Sequence, residues 1–249
     1  MIVLNNINKV FNSGKANEVV AIKSLSLTIK EGEYVTIVGS NGSGKSTLLN
    51  IISGAEMPTN GTVNIAGNDV TRLVEYKRSK WIARVFQNPL SGTAPDLSII
   101  DNFRLAALRT QSRGLTIGVN ADFKKKVKEK IAILGMGLEN KTEQPIGTLS
   151  GGQRQALTLL MGVMDETKIL LLDEPTAALD PRSADIIMKT ADRLIEENKL
   201  TAILITHNLK YAHQYGSRLI QMSEGEIIKD FDNQQKQDLP LTDLFSWFI

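Results

Sequence analysis

A glycine-rich octapeptide of the form G-x-x-x-x-G-K-S constrains this chain more than any other feature of its sequence. It consists of Gly39, Ser40, Asn41, Gly42, Ser43, Gly44, Lys45 and Ser46, with Thr47 next. A β-branched run at residues 34–38 precedes it, and a helical pattern follows it. Glycines let successive backbone N–H groups point inward, and a helix N-terminus adds partial positive charge. We therefore predict a nucleotide phosphate site, in which Lys45 reaches the β- and γ-phosphates and the Ser46 hydroxyl binds Mg²⁺.

Short apolar runs alternate with helical patterns after this loop, which predicts an α/β core. Strands are expected at residues 34–38, 62–65, 82–86, 169–172 and 201–205, helices at 45–52, across 98–164 and at 183–197, and a hairpin at 218–229. The first 35 or so residues are predicted to form strands, because apolar residues alternate at 25–29 and turn signals separate the runs. We expect a helical insertion between two core strands.

An acidic pair, Asp173 and Glu174, follows the apolar run at residues 169–172. The carboxyl ends of strands are where α/β sheets place their ligands. Nucleotide hydrolysis needs a carboxylate for the metal and a group that activates water. We assign Asp173 to Mg²⁺ and Glu174 to the attacking water as general base. Alone, such a pair is also typical of an ordinary strand end. Together with the glycine-rich loop, it indicates a nucleotide-hydrolysis site.

A second glycine motif, Leu149-Ser150-Gly151-Gly152-Gln153, precedes that acidic pair. Ser150 is a candidate helix N-cap, the glycines expose backbone donors, and a helix predicted from Arg154 to Met164 adds its dipole. The simpler alternative is a capped helix with a glycine-rich entry. If the motif binds an anion, one chain carries two phosphate-binding elements.

Charge and cysteine content exclude several classes of function. Among 249 residues, 29 are basic and 27 acidic, so the net charge of +2 gives no reason to expect nucleic acid as a partner. The chain has no cysteine, which excludes disulfides and thiolate metal sites. No apolar run reaches the ~20 residues that span a bilayer, and the first residues lack the pattern of a signal peptide. We expect neither secretion by that route nor insertion into a membrane.

The three motifs together resemble the nucleotide-binding subunits of ATP-binding cassette (ABC) transporters, and the resemblance extends over nearly the whole chain. It implies a P-loop NTPase core with a mixed sheet, an N-terminal antiparallel β subdomain and a helical insertion in one domain, 1–249. The core would comprise residues 1–87 and 166–249, and the insertion residues 88–165. It also implies a head-to-tail homodimer in which Ser150, Gly151, Gly152 and Gln153 of one copy complete the ATP site of the other.

The resemblance assigns roles to four further residues. Gln87 would contact Mg²⁺ and the attacking water and link the core to the insertion. Asp180 would lie in the loop that crosses the dimer interface, although Ala178 stands where serine is more usual. His207 would sense the γ-phosphate. Phe11 would stack on adenine; without the resemblance, Gln87 reads as a surface loop residue, His207 as a structural histidine and Phe11 as a core residue.

The function that the resemblance implies is ATP hydrolysis coupled to solute import through a separate membrane permease. The chain would lie at the cytoplasmic face of the membrane and act indirectly with an extracytoplasmic solute-binding protein. We place the permease contact at the loop 88–95 and the helix that Ser98 and Asp101 could cap. Residues 86–95 and 158–161 resemble a subgroup that serves branched-chain-amino-acid-type permeases, which favours amino acids as solutes.

Two alternatives remain open from the sequence. An ATPase of a lipoprotein-release or cell-division complex would carry the same motifs and differ in its permease. A soluble cassette ATPase of iron–sulfur assembly would bind a scaffold instead of a membrane protein.

Overall fold

The computed structural model describes residues 1–109, 118–164 and 167–247. Its strands are β1 Ile2–Phe11, β2 Val19–Ile29, β3 Tyr34–Val38, β4 Asn60–Ile65, β5 Asn68–Asp69, β6 Ile82–Val85, β7 Ile169–Asp173, β8 Thr201–Ile205, β9 Arg218–Ser223 and β10 Glu226–Phe231. Its α-helices are α1 Lys45–Ser53, α2 Glu75–Arg78, α3 Ile99–Ala107, α4 Ala121–Ala132, α5 Gly151–Gly162, α6 Pro181–Glu197, α7 Leu209–Gln214, α8 Asn233–Gln237 and α9 Leu241–Ser246. The predicted subdomain boundary at residues 165 and 166 lies outside the described residues.

Two sheets form the fold, as predicted. The larger sheet has the order β10-β9-β3-β8-β7-β6, in which β9 to β6 run parallel and β10 is antiparallel to β9. The smaller sheet has the order β2-β1-β4-β5 and is antiparallel. Every residue of β3, β7 and β8 is buried, because both faces of the central sheet are covered.

Alternate side chains of the central strands enter different cores. In β7, Leu170 and Leu172 pack with the helices that lie between β6 and β7 along the chain. Ile169 and Leu171 pack with α1 and the antiparallel sheet instead. Because the side-chain period of a strand is two residues, one five-residue strand serves both layers. No helix among the described residues is long and apolar enough to cross a membrane.

Strand order brings the predicted motifs to one edge of the sheet. Since β8 pairs in parallel with both β3 and β7, the carboxyl ends of these strands are neighbours. The glycine-rich loop follows β3, Asp173 ends β7, and His207 follows β8 with one residue between. This edge is where open α/β sheets bind their ligands.

A wholly buried arginine fixes the end of α1. Arg78 donates to the carbonyls of Ile51 and Ile52 at 2.7 and 2.9 Å and to that of Leu73 at 2.8 Å. Burial lowers its pKa to about 10. A Cβ at Gly54, which has a φ of +86°, would lie 2.7 Å from the Arg78 Nε. These hydrogen bonds fix the last turn of α1, the helix that begins with Lys45.

The structure corrects the bounds of several predicted elements. The helix expected from Arg154 to Met164 runs from Gly151 to Gly162, because Ser150 and Gln153 form a capping box that starts it at the glycines. The helix expected from residue 183 begins at Pro181, since Asp180 caps it. The strand expected at 82–86 ends at Val85.

Candidate functional site

The glycine-rich loop is closed so tightly that side chains are excluded at two positions. A Cβ at Gly39 would lie 2.3 Å from the Met222 carbonyl oxygen. At Gly44, which has a φ of +98°, it would lie 2.6 Å from the Ala21 carbonyl oxygen. Gly44 is also the N-cap of α1 and supplies no side-chain cap, so no side chain competes there for the first N–H groups of the helix. Such N–H groups form an anion site.

Lys45 is held inside the loop that precedes it. Its side chain donates to the carbonyl oxygens of Gly39 and Ser40, each at 2.8 Å, and to the Ser43 Oγ at 3.3 Å, and the residue is only 5% exposed. Burial lowers the Lys45 pKa, while the nearby charges of Glu174 and Asp173 raise it. The ammonium is therefore already held within the loop where a phosphate would bind.

Three residues with side-chain oxygens, the predicted ligands of Mg²⁺, follow or end elements at the same sheet edge. Asp173 is buried at the end of β7, Ser46 is exposed in the first turn of α1, and Gln87 is exposed in the loop after β6. Hydroxyl, carboxylate and amide oxygens fit Mg²⁺, which binds through one or two carboxylates together with nucleotide phosphates and water. In the described ranges no three His, Asp or Glu side chains could hold a metal by themselves. The residues fit a metal that arrives with a nucleotide.

Glu174 and His207 form a contact across the ends of β7 and β8. The His207 Nε2 lies 2.8 Å from the Glu174 Oε1, and the two side chains are 41% and 15% exposed. The carboxylate can only accept, so Nε2 carries the proton in this contact. Glu174 has a φ of +48°, and its N–H donates to the Ile205 carbonyl at 2.9 Å. A glutamate in this rare backbone conformation, tied to the neighbouring strand, points its carboxylate in a fixed direction.

Phe11 lies beside the phosphate loop and is only partly buried. It lines a cavity of about 290 Å³ together with Lys45, Glu174 and His207. The other members of the lining are Val19, Val20, Ala21, Asn41, Gly42, Ser43, Gly44, Ser46 and Thr47. The Lys9 ammonium lies 4.6 Å from the ring centroid and pairs with Glu56 at 2.7 Å. One cavity is thus lined by an aromatic ring and by the groups predicted to bind phosphate.

The second glycine motif lies outside that lining. The Ser150 Oγ accepts from the Gln153 N–H at 3.3 Å, and the Gln153 Oε1 accepts from the Ser150 N–H at 3.2 Å. A Cβ at Gly152 would lie 2.9 Å from the Ser183 Oγ, whereas one at Gly151 would meet only Leu179, at 3.6 Å. Ser150 and Gly151 are exposed. Their helix terminus therefore faces solvent.

Asp180 has a defined structural role in this chain. Its side chain accepts from the Ser183 N–H at 3.1 Å as the N-cap of α6, and hydrogen bonding from Ser183 lowers the Asp180 pKa. Asp180 is exposed and, like Ser150, is absent from the described lining of the Phe11 cavity. In a single copy the structure brings together Phe11, the loop, Glu174 and His207, and leaves Ser150 and Asp180 apart.

Two residues that sequence reasoning missed contact the predicted site. The Arg84 Nη2 lies 2.5 Å from the Asp173 Oδ2. The Gln155 Nε2 donates to the carbonyl of Phe86, next to Gln87, and to that of Pro175, next to Glu174, each at 2.9 Å. A charged residue inside the apolar run 82–86 was the signal for Arg84. Nothing in the sequence singles out Gln155, whose two acceptors come from distant loops.

Comparison with known proteins matches residues 22–177 to the family model described as ABC transporter. The tyrosine transport ATP-binding protein of Clostridioides difficile is 38% identical over the whole of this chain and 98% of its own length. A phosphonates import ATP-binding protein of Rhizobium meliloti is 33% identical over 87% of this chain and 77% of its own length.

A solved structure of an ATP-binding cassette, a dimer in a post-hydrolysis state with ADP and phosphate bound, superposes with a TM-score of 0.80. It is 31% identical and covers 94% of this chain and 99% of its own. Sequence and fold therefore point to the same family.

Proposed function

The chain belongs to the ABC transporter family as one of its Mg²⁺-dependent ATPases, and we propose that it powers solute import through a separate membrane permease. The observation that carries the ATPase chemistry is one cavity lined by the phosphate loop, Lys45, Glu174 and His207. This cavity brings a candidate phosphate-binding cation and a candidate general base to one space, where a γ-phosphate would lie.

Each residue then has a role in hydrolysis. Bound ATP would supply the phosphoanhydride that is cleaved, and Mg²⁺ bound with it would supply positive charge at its phosphates. The N–H groups of the loop and Lys45 would bind the phosphates, and Ser46, Asp173 and Gln87 would hold the metal. Glu174 accepts a proton from the attacking water. His207, hydrogen-bonded to Glu174, orients that carboxylate and contacts the γ-phosphate.

The active unit is a homodimer in which each copy completes the other's site. Ser150 and Gly151 form an exposed, glycine-rich helix terminus, which suits an anion supplied from outside the chain. Gly152, Gln153 and Asp180 belong to the same interface. The dimeric state of the similar solved cassette supports this arrangement. ATP held between Lys45 of one copy and Ser150 of the other would bind the copies together until it is hydrolysed.

The permease docks on the loop at 88–95 and on α3. Asn102 fixes this loop, since its Oδ1 accepts from the Ala94 N–H at 2.8 Å and its Nδ2 donates to the Ala94 and Ser98 carbonyls at 3.0 and 2.9 Å. Leu90 in this loop, Leu97 just after it and Leu105 in α3 are 47%, 42% and 49% exposed. Exposed leucines beside a loop that hydrogen bonds hold in place suit contact with a permease helix, which would hold the chain at the cytoplasmic face of the membrane.

The solute is an amino acid in this proposal, delivered by an extracytoplasmic solute-binding protein. The 38% identity to a protein named for tyrosine transport supports this class, while the more distant relative is named for phosphonates. The likeness of residues 86–95 to partners of branched-chain-amino-acid-type permeases remains a prediction. Uptake of labelled amino acids by cells with and without the gene would test it.

Glu174→Gln is the experiment that tests the catalytic proposal. Glutamine keeps the shape of the side chain but cannot take a proton from water, so hydrolysis should slow by at least about 10²-fold. ATP binding should survive and trap a dimer, measured by size with ATP and Mg²⁺ and then with ADP. Ser150→Arg should abolish that dimer.

Glu224→Gln is the matched control, because Glu224 also has a φ of +48° but follows β9 in an exposed turn. It should hydrolyse ATP like the wild type. Wild-type turnover in Glu174→Gln would remove Glu174 as the base, and a monomer with ATP would count against the shared site.

A further inference from the structure

Arg84 makes an ion pair with the carboxylate assigned to the metal. Its Nη2 contacts the Asp173 Oδ2 at 2.5 Å, and the two side chains are 10% and 13% exposed. Its Nη1 donates to the Asn50 Oδ1 at 2.7 Å, and the Phe86 ring centroid lies 4.8 Å from the Cζ. The guanidinium is thus held from three sides against Asp173.

The geometry of this contact differs from that of an ion pair optimised for stability. A structural arginine commonly presents two parallel N–H groups to one carboxylate. Arg84 uses one Nη2 on one oxygen, and its buried Nε has no hydrogen-bond partner within the described part of the chain. A buried donor without a partner is unfavourable, so this arrangement lowers the stability of the fold. The fold nevertheless keeps it.

We propose that Arg84 is a positioning residue that keeps divalent cations off Asp173 until a nucleotide brings them. The inference rests on the proposed metal role of Asp173. In the nucleotide-free protein the guanidinium neutralises Asp173 and repels a second cation. Nucleotide phosphates add negative charge beside Lys45, which offsets that repulsion and lets the metal bind with the nucleotide.

Mn²⁺ binding to the nucleotide-free protein, measured by electron paramagnetic resonance, tests the proposal. Removal of a residue that hydrogen-bonds to a metal ligand usually weakens the metal site by about 10–100-fold. Because Arg84 is a cation, we expect the opposite sign: Arg84→Met should bind Mn²⁺ at least about tenfold more tightly than the wild type. Arg84→Lys keeps the charge and should stay near the wild type, and adding Asp173→Asn to Arg84→Met should abolish the gain.

A second measurement separates this role from a structural one. ATP binding in EDTA should weaken in Arg84→Met, since a positive charge is lost, so ATP and Mn²⁺ affinities should change in opposite directions. Arg218→Met is the matched control, because Arg218 pairs with Asp230 and Glu33, neither of which is assigned to the metal. It should leave both affinities unchanged.

Unchanged or weaker Mn²⁺ binding in Arg84→Met would overturn the proposal. If that variant does not fold, Arg84→Gln removes the charge and retains hydrogen bonding, and the same outcomes apply. Asp173→Asn alone tests the underlying assignment: if it keeps Mg²⁺-dependent ATP hydrolysis, Asp173 is not the metal ligand. Loss of hydrolysis there, with no effect of Arg84 on Mn²⁺, would reject only the role of Arg84.

Discussion

Two buried lysines lie near opposite ends of the central strand β3, with closely similar local chemistry. Lys45 is 5% exposed and donates to the carbonyls of Gly39 and Ser40. Lys236 is 4% exposed and donates to the carbonyls of Tyr215 and Gly216. Burial lowers the pKa of both, and nearby carboxylates oppose the change in both. Burial and hydrogen bonding alone do not tell which of them binds a ligand.

The surroundings of the two ammonium groups differ. Lys45 begins a helix whose N-cap is a glycine, and it lines an open cavity with Glu174 and His207. Lys236 lies in α8, and the Tyr215 carbonyl that it contacts also accepts from the Thr36 Oγ1 at 2.8 Å. The first lysine can exchange its carbonyl partners for phosphate oxygens. The second ties a loop to β3 and has a structural role.

The largest expected effect tests this contrast directly. Lys45→Ala should abolish ATP hydrolysis or slow it by more than about 10²-fold, because a charge contact to the phosphates is lost. Lys236→Met should hydrolyse ATP like the wild type once folded. Turnover and ATP binding of both purified variants would be measured at saturating Mg²⁺. If both variants lose ATP turnover and ATP binding to the same extent, the two lysines do not differ in function.

The sequence predicts the Lys45 end of β3 better than the Lys236 end for a physical reason. Residues 34–46 form a local signal, in which strand, glycines, lysine and helix follow one another. Lys236 gives no such signal, because its partners at residues 215 and 216 meet it only after β9 and α8 have packed. Arg84 and Gln155 were missed for the same reason: their partners are brought to them by the order of β6, β7 and β8. Glu174 and His207 were predicted as separate groups, but their contact depends on the pairing of β7 with β8.

Two aromatic rings give a second, smaller contrast. Phe11 lines the cavity, whereas Trp247 stacks on Phe231 at 5.4 Å between ring centroids and has the Lys229 ammonium 3.9 Å from its own centroid. Phe11→Ala should weaken ATP and ADP alike by the ~1–3 kcal/mol of one stacked base. Turnover at saturation should stay near that of the wild type, because stacking is uniform binding.

Phe11→Tyr keeps the ring and should retain the nucleotide affinity of the wild type. Trp247→Ala should lower the free energy of unfolding and leave nucleotide affinity unchanged. Titration calorimetry with ADP would measure all three variants. Unchanged ADP affinity in Phe11→Ala would show that Phe11 has a structural role and does not stack on adenine.

The smallest expected effect is a pH dependence that belongs to Lys236. Its pKa falls to about 8 in the folded chain, because burial disfavours the charged form; in an unfolded chain a lysine titrates near ~10.4. Between these values the unfolded chain binds more protons, so the free energy of unfolding should rise with pH in that interval and not below pH ~8. Above pH ~10 the raised pKa of Tyr34 opposes the trend.

Lys45 adds a rise of the same sign, so the contribution of Lys236 is isolated by subtracting Lys236→Met from the wild type. Urea unfolding at pH 7, 8.5 and 10 should give a difference in unfolding free energy that grows by about 1 kcal/mol or more in favour of the wild type. Addition of ATP and Mg²⁺ should leave that difference unchanged, because Lys236 is not among the described residues that line the cavity of Lys45. If this difference does not change with pH, Lys236 keeps an ordinary pKa. If ATP changes the difference, nucleotide binding at one end of β3 is coupled to Lys236 at the other.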